Sequence, residues 1–330
     1  MAELRKNPLT REWVVIMAAP APSPPARGVC PYCPGNEALS GPESLAYRDP
    51  STAPDTAGWR VRVVASSPSF LQPDADPGRG EEGIYDIMRP VGGDEAIVET
   101  PAHGEAALFS DPRQSEDALW ACRERYSYWA AQPSVKSVII GRHHAGRSQD
   151  HPHWRLLALP VVPQPLWDLA KGMAQYYDYR GRCGICHIAE EEARDRSRVV
   201  TENRHFLALT PYFSVYPYEM WILPRRHHAG LPDAQQEEMQ SLARIMCEAM
   251  GTLRQALHDP HWIMTFMNAP CNIEGMEHFH WFLRVLPDVI APAANALEYG
   301  ISVNEVAPET AAERLRRAAP VTLRRAAQVA

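Results

Sequence analysis

Two histidines separated by one residue begin an apolar segment, in the sequence HPHWR at residues 151–155. Residues two apart on an extended strand point to the same face, so His151, His153 and Arg155 should lie side by side. One imidazole could then bind a metal ion while its neighbour attacks a substrate. Residues 156–159 are apolar and precede a proline, which predicts a buried strand with a polar cluster at its entry. The alternative is a pair of surface histidines at a junction of loop and strand.

The cysteines are the second group that could do chemistry. Four of the seven form two C-x-x-C pairs. In a chain without a visible secretory signal, such pairs are metal sites or redox motifs rather than structural disulfides. Cys122 and Cys247 fall in helical patterns, and we expect them to be buried core residues.

Each C-x-x-C pair is followed by histidines at matched places, which completes two Cys₂His₂ ligand sets. Thiolate and imidazole donors favour zinc over magnesium or calcium, and four such ligands close a tetrahedral site. A redox motif would instead be a single pair opening a helix. We therefore predict two zinc ions per chain. The first site contains Cys30, Cys33, His103 and His151, and the second contains Cys183, Cys186, His227 and either His280 or His278.

The fourth ligand of the second site depends on how two motifs are aligned. Matching HPHW directly with HFHW gives His278 the ligand position. Matching the first motif with residues 280–284, His-x-Phe-x-Arg, makes His280 the ligand and keeps the arginines of both motifs in phase. We favour the second alignment, in which Phe282 occupies the place of the nucleophile. The second half would then have kept its zinc and lost its chemistry.

These motifs belong to a unit that the chain contains twice, about 150 residues apart. Arg-Val-Val precedes Phe-Leu by the same spacing in both halves, and Glu95 precedes a histidine by eight residues, as Glu219 does. The period far exceeds that of solenoid repeats. We predict a duplicated α+β fold, with an antiparallel sheet and one main helix in each half. The halves are assigned to residues 1–165 and 166–330, with their sheets either joined or packed side by side.

Two helices stand out within this pattern. Apolar spacing predicts one over residues 114–132, capped by Ser115, and another over residues 233–257, capped by Asp233. Residues 161–179 are assigned to a connection between the halves.

Composition excludes several functional classes. The chain has 330 residues, 45% of them hydrophobic, so it can bury a large core, but its apolar runs are far shorter than the ~20 residues of a membrane-spanning helix. A net charge of −7 argues against a nucleic-acid partner. The N-terminal sequence contains no secretory signal, so we expect a cytoplasmic protein. Arginines outnumber lysines, which suits bidentate recognition of phosphate.

The three candidate catalytic residues are His153, Arg155 and Ser148. If His151 binds the metal, His153 is held beside a rigid site, and its neutral imidazole can attack phosphorus to form a covalent intermediate. Ser148 lies on the approach to this strand and could donate to phosphate oxygens. The guanidinium of Arg155 suits the charge on the equatorial oxygens during transfer.

Four segments together resemble the galactose-1-phosphate uridylyltransferases and their relatives in the histidine-triad superfamily. They are NPLTxxW at residues 7–13, CPYCPGN at 30–36, IVETPxH at 97–103 and HPH at 151–153. The resemblance covers nearly the whole chain, including the duplication. It implies a double histidine-triad fold, zinc, a homodimer and ping-pong transfer of a nucleoside monophosphate through a nucleotidyl-histidine.

Individual residues carry the resemblance further. His153 matches the family nucleophile, and the first Cys₂His₂ set matches its zinc ligands. The second set, with His280 as its fourth member, matches the second zinc site of a branch similar to ADP-glucose phosphorylase. The implied ligands are a nucleotide or nucleotide-sugar and a phosphorylated small-molecule acceptor.

The sequence also departs from the family pattern. The uridylyltransferases have HPH-x-Gln, where the glutamine holds the phosphoryl group, and this chain has Arg155 there. Arginines that follow the NPLT segment in the family are replaced by an Ala- and Pro-rich stretch, with Arg27 nearby. Residues 288–303 have no clear match to the hexose-binding segment. The chemistry therefore carries over better than galactose 1-phosphate as a substrate.

Three functions compete at this point. The leading hypothesis is a nucleotidyltransferase or phosphorylase acting on a nucleoside diphosphate sugar or a similar activated phosphate. The second is a hydrolase, since arginine in place of glutamine could admit water to the intermediate. The third is a catalytically silent, zinc-stabilised nucleotide-binding protein.

Overall fold

The structure is a computed structural model that describes residues 2–17, 29–73, 76–104, 111–144, 151–288 and 301–319. Within these ranges the backbone forms strands and five α-helices. The strands are β1 (Glu3–Lys6), β2 (Trp13–Ile16), β3 (Glu43–Arg48), β4 (Trp59–Ala65), β5 (Gly80–Glu82), β6 (Tyr85–Met88), β7 (Gly93–Val98), β8 (Ser137–His144), β9 (His153–Leu159), β10 (Val199–Glu202), β11 (Phe206–Leu209), β12 (Met220–Pro224), β13 (His261–Met267) and β14 (Phe282–Asp288). The helices are α1 (Pro112–Ala130), α2 (Gln164–Arg180), α3 (Gly184–Asp195), α4 (Gln236–Leu257) and α5 (Pro308–Ala318).

One antiparallel sheet runs through both halves of the chain. Its ten strands lie in the order β10-β11-β12-β14-β13-β8-β9-β7-β4-β3. Reading outward from the centre, β8-β9-β7-β4-β3 in the first half repeats β13-β14-β12-β11-β10 in the second. This confirms the duplicated α+β fold and decides between the two predicted arrangements, because the sheets of the halves join edge to edge. The boundary between residues 165 and 166 stays a prediction.

An approximate two-fold axis passes through the joint between β8 and β13. Thr265 pairs with Gly141 across this joint. On the neighbouring strands Gly141 pairs with Arg155, and Thr265 pairs with Arg284. The two arginines therefore hold equivalent positions on the two sides of the axis, as the favoured alignment of the motifs requires.

The two faces of the sheet have different roles. Strand β9 alternates, so Trp154, Leu156 and Ala158 are buried in the main core, which also contains apolar residues of α1, α4 and α5. His153 and Arg155 occupy the other face of the same strand, in keeping with the two-residue period of a strand. In the second half that other face is covered by apolar residues of α2 and α3.

A second, smaller sheet has the order β2-β1-β6-β5. Leu4 and Met88 of this sheet form a buried cluster with Leu159 and Val161, which lie at the far end of β9. The small sheet thus covers the end of β9 that is opposite to the histidines. Within the described ranges, the structure contains no helix with the length and apolarity needed to cross a membrane.

Both predicted helix caps are wrong, although both helices exist. Helix α1 begins earlier, with Asp111 as its cap, and Ser115 is a buried residue inside the helix whose hydroxyl donates to the carbonyl of Asp111. Helix α4 begins with a capping box between Gln235 and Glu238, while Asp233 ends a short 3₁₀ turn. A proline follows Asp111 directly, and proline is favoured at the first helical position.

Residues 161–179, assigned to a connection, form most of helix α2. Two prolines near its start obscured the helix in the sequence, but proline is compatible with a first helical turn because the N–H it lacks would have no partner inside the helix. Phe70 and Leu71 were matched to strand β11 by spacing, but they lie in a loop. Cys122 and Cys247 are buried, as expected.

Candidate active site and metal centres

The four predicted ligands of the first site lie together. The donor atoms of Cys30, Cys33, His103 and His151 are all within 4.8 Å of one another. Nδ1 of His151 lies 3.7 Å from Sγ of Cys30 and 3.6 Å from Sγ of Cys33, and Nδ1 of His103 lies 3.3 Å from Sγ of Cys33. A tetrahedral zinc ion with usual bond lengths separates a sulfur from a nitrogen by about 3.6 Å. The observed spacing therefore fits such an ion.

The second cluster repeats this geometry. The donor atoms of Cys183, Cys186, His227 and His280 also lie within 4.8 Å of one another. Nδ1 of His280 is 3.6 Å from Sγ of Cys183 and 3.3 Å from Sγ of Cys186, and Nδ1 of His227 is 3.7 Å from Sγ of Cys186. The chain thus contains two Cys₂His₂ clusters that could each bind a metal ion.

Backbone carbonyls orient three of the four histidines in these clusters. Nε2 of His151 donates to the carbonyl of Thr100 at 2.7 Å, and Nε2 of His280 donates to the carbonyl of Pro224 at 3.1 Å. His227 donates in the same way to a carbonyl, that of Glu277, at 3.0 Å. A carbonyl oxygen can only accept, so these bonds leave the lone pair of each ring on Nδ1, which faces the sulfurs. Metal-bound histidines show the same arrangement.

His278, the alternative fourth ligand, lies outside the second cluster. Its ring stacks on Tyr177, with ring centroids 4.1 Å apart and an angle of 16° between the planes. Phe282 begins β14 as His153 begins β9, and its ring stacks on Trp221 with centroids 4.3 Å apart. The position equivalent to His153 is therefore filled by a buried aromatic residue in the second half.

His153 lies at the edge of a cavity of about 510 Å³. Its Nδ1 donates to the carbonyl of His151 at 2.8 Å. That bond fixes the neutral tautomer with the lone pair on Nε2. The ring of Tyr32 lies against that of His153, with centroids 5.3 Å apart. Because His151 belongs to the first cluster, the backbone that orients His153 is anchored at the same residue that would bind the metal.

Arg155 lines the same cavity, and its guanidinium is held by a buried carboxylate, that of Asp94. Nε and Nη2 of Arg155 donate to the two carboxylate oxygens of Asp94, at 3.0 and 2.7 Å. The Asp94 side chain is fully buried, whereas 48% of the Arg155 side chain is exposed. The hydrogen bond with Asp94 raises the pKa of Arg155 above its usual value. A permanently charged guanidinium therefore faces the cavity beside His153.

Burial keeps two other groups of the site neutral. It lowers the pKa of His151, which favours the uncharged imidazole that a metal ion requires. It also raises the pKa of Tyr32, with a further contribution from the neighbouring Cys30, so this phenol stays protonated at neutral pH. The cavity thus combines the imidazole of His153, a neutral phenol and a fixed cation.

Several residues of the cavity were missed in the sequence. The loop after β4 contributes Ser66, Ser67, Ser69 and Phe70 to its wall. Three hydroxyls in four residues are a signal for polar contacts, but they are also common in turns. Asp94 was missed because Glu95, its neighbour, matched the spacing of Glu219. Ser148, the third candidate catalytic residue, lies outside the described residues.

Comparisons with known proteins point in one direction. Residues 170–326 match the family described as galactose-1-phosphate uridyl transferase, C-terminal domain. The chain is 30% identical over 331 residues to a galactose-1-phosphate uridylyltransferase from Thermotoga maritima, covering 96% of this chain and 98% of that protein. It is 27% identical over 336 residues to an ADP-glucose phosphorylase from Arabidopsis thaliana, covering 95% of this chain and 92% of that one.

Solved structures agree with the sequence relatives. A uridylyltransferase structure superposes with a TM-score of 0.81 at 25% identity, over 96% of this chain and 98% of that one. The crystal structure of the ADP-glucose phosphorylase from Arabidopsis thaliana with bound ADP-glucose gives a TM-score of 0.74 at 26% identity, over 96% of this chain and 98% of that one.

Proposed function

The chain belongs to the galactose-1-phosphate uridylyltransferase family, and from this membership we propose how its own residues carry out nucleotidyl transfer. The enzyme moves a nucleoside monophosphate between two substrates. The donor is a nucleoside diphosphate sugar or a similar activated phosphate, and the acceptor is phosphate or a sugar 1-phosphate. Two relatives support these two acceptors. The name uridylyltransferase fits a sugar 1-phosphate as acceptor, and the name ADP-glucose phosphorylase fits phosphate.

The observation that supports this proposal most directly is the geometry of His153. Its Nδ1 donates to the carbonyl of His151, so the lone pair that would attack phosphorus is on Nε2. The cavity beside it is lined by a fixed cation, Arg155, and by the serines of the loop after β4, Ser66, Ser67 and Ser69. A negatively charged phosphoryl group is the ligand that such a combination binds best.

The reaction proceeds in two balanced steps. Nε2 of His153 attacks the α-phosphorus of the donor, so an N–P bond forms while the bond from that phosphorus to the bridging oxygen breaks. The sugar 1-phosphate leaves with the electron pair of that bond. In the second step a phosphate oxygen of the acceptor attacks the same phosphorus, and the N–P bond breaks to restore the imidazole. Arg155 binds the non-bridging oxygens in both steps.

We propose that both Cys₂His₂ clusters bind zinc. Two thiolates and two imidazoles are a donor set typical of structural zinc sites, and the sulfur–nitrogen distances of both clusters fit it. Bound zinc would act as a structural tie, since its four ligand positions are all taken by the protein. In the first half His151 would be one of its ligands, and the carbonyl of His151 accepts the hydrogen bond that orients the ring of His153.

Intact-mass spectrometry tests the central step. Incubating the protein with ADP-glucose or UDP-glucose should add one nucleoside monophosphate to wild type and none to His153→Ala. The adduct should be labile in acid and stable in alkali, as expected for an N–P bond. Adding phosphate or a sugar 1-phosphate should then remove the adduct and yield a new nucleotide product.

Other outcomes distinguish the competing hypotheses. Release of free nucleoside monophosphate without an acceptor would favour the hydrolase. An absence of adduct on wild type with every donor, while fold and zinc content are intact, would refute transfer through His153.

The proposal also includes the assembly and the compartment of the protein. We propose a homodimer in the cytoplasm. The strand β2 at the edge of the small sheet exposes Val14 and Ile16, which suits a protein contact. The thiolates of two zinc clusters suit a reducing compartment. Light scattering coupled to size-exclusion chromatography would contradict the dimer if the mass were that of one chain.

A further inference from the structure

The carboxylate beneath Arg155 has no role in the steps described so far. We propose that Asp94 is a positioning residue that fixes the guanidinium of Arg155 so that its outer edge binds the phosphoryl group during transfer. This inference rests on the proposed function of the same site. It concerns how the cation is aimed rather than which residue is attacked.

The geometry of the Asp94–Arg155 pair supports this role. Asp94 takes up Nε–H and one N–H of Nη2, which is two of the five donors of the guanidinium. The other three donors lie on the edge away from Asp94, and Arg155 lines the cavity beside His153. Two parallel bonds to one carboxylate also fix the plane of the guanidinium, which a single bond would not do.

Burial makes this orientation persistent. A fully buried carboxylate is costly unless it is paired, so losing the bond with Arg155 would leave Asp94 without its counter-charge. Arg155 is therefore held in one position before substrate arrives. Groups that are already oriented stabilise a transition state without reorganising, which is where such donors contribute most.

The second half of the chain provides an internal comparison. Arg155 pairs across the sheet with Ala96, and Arg284 pairs with Trp221. In each case the bound carboxylate lies two residues before that partner, at Asp94 in one half and Glu219 in the other. The pair is therefore inherited by both halves through the duplication.

The surroundings of the two pairs differ. Glu219 also accepts bonds from Nε1 of Trp221 at 2.9 Å and from the backbone N–H of Val215 at 2.8 Å. Its arginine, Arg284, follows Phe282, which occupies the place of the nucleophile. The pair of Glu219 and Arg284 thus links β12, β14 and the loop before β12. The first pair instead presents its arginine to the cavity that contains His153.

The inference predicts a particular kinetic pattern for Asp94→Asn. Arg155 keeps its charge but loses its fixed orientation, and a negative charge near the phosphates is removed. Donor affinity should therefore be unchanged or up to about 3-fold higher, while the rate of adduct formation on His153 should fall by about 10- to 100-fold, as expected for a misplaced group. A purely structural role would not separate binding from rate in this way.

The experiment is a double-mutant cycle measured by single-turnover adduct formation with ADP-glucose and UDP-glucose. The variants are Asp94→Asn, Arg155→Gln and the double variant, with Glu219→Gln as the matched control. If Asp94 acts through Arg155, adding Asp94→Asn to Arg155→Gln should change the rate by less than 2-fold. Glu219→Gln should lower the melting temperature and leave the rate of adduct formation within 2-fold of wild type.

Three results would overturn the inference. They are an unchanged rate in Asp94→Asn, additive effects in the double variant, or a rate loss in Glu219→Gln as large as that in Asp94→Asn. If Asp94→Asn fails to fold, Arg155→Lys takes its place. Lysine keeps the charge but lacks the planar fork, so its rate should fall as far as that of Arg155→Gln, and a wild-type rate would refute the inference. Absence of adduct on wild type would instead count against the proposed function.

Discussion

His280 and His278 offer a sharp test of the second metal centre, because one should be essential and the other nearly dispensable. His280 is fully buried, its Nδ1 faces both sulfurs of the cluster, and its Nε2 donates to Pro224. His278 makes a stacking contact with Tyr177 on the surface of α2. We expect His280→Ala to remove one metal ion and destabilise the protein, and His278→Ala to do neither.

The contacts of the two histidines give the expected difference in stability between the variants. Losing an aromatic contact such as that of His278 costs about 0.5–1.5 kcal/mol. Metal binding contributes about 10–16 kcal/mol to folding in zinc-finger peptides, so loss of even a quarter of it through His280→Ala costs about 3 kcal/mol or more. Leaving the Pro224 carbonyl without its donor adds about 1–3 kcal/mol. For a unit of this size each kcal/mol lowers the melting temperature by about 2–4 °C. We therefore expect a fall of at least about 8 °C for His280→Ala and at most about 6 °C for His278→Ala.

Scanning calorimetry and elemental mass spectrometry on chelator-washed protein would measure both quantities. Wild type and His278→Ala should each retain close to two zinc ions per chain, and His280→Ala should retain close to one. If His278→Ala lost the ion and His280→Ala kept it, the alignment that pairs Arg155 with Arg284 would be wrong. The assignment of Phe282 to the nucleophile position would then fall with it.

Two further predictions concern a cysteine of the second metal centre and the arginine of the candidate active site. Cys183→Ser should reduce zinc to about one ion per chain and lower the soluble yield, whereas a protein that holds no tightly bound zinc in wild type would contradict the metal assignment. Arg155→Ala should lose about 2–4 kcal/mol of transition-state stabilisation, seen as a roughly 30- to 1,000-fold lower kcat/KM, by analogy with removal of one preorganised donor. An Arg155→Ala variant with wild-type kcat/KM would show that the cation does not contact the transferred group.

The ligands of both metal clusters could be predicted from the sequence, because each ligand set has a recognisable spacing. The C-x-x-C pairs mark the thiols, and a histidine after β7 or β12 completes each set with one from the motif before β9 or β14. The two-residue period of a strand was also enough to put His153 and Arg155 on one face. Local patterns of this kind can be predicted from sequence because they depend only on backbone geometry.

The sequence could not identify the partner of Arg155. Equal spacing matched Glu95 to Glu219, but strand pairing makes Asp94 the equivalent of Glu219. The first half has one more residue between Asp94 and His103 than the second half has between Glu219 and His227. Spacing along the chain hides such an insertion, since only the cross-strand register shows which residues are opposite each other. Glu95 instead forms a buried ion pair with Arg125 of α1.

The two halves differ in access to the sheet face on which we propose the reaction takes place, although both contain the same cluster. In the first half the face of β9 that contains His153 is open to the cavity, because the small sheet covers only the far end of that strand. In the second half α2 and α3 cover the equivalent face, and Phe282 packs among their apolar residues. A histidine at that position would be buried without access to a phosphate. On the proposed function the clusters have the same structural task in both halves, and α2 and α3 leave only the first half open to a substrate.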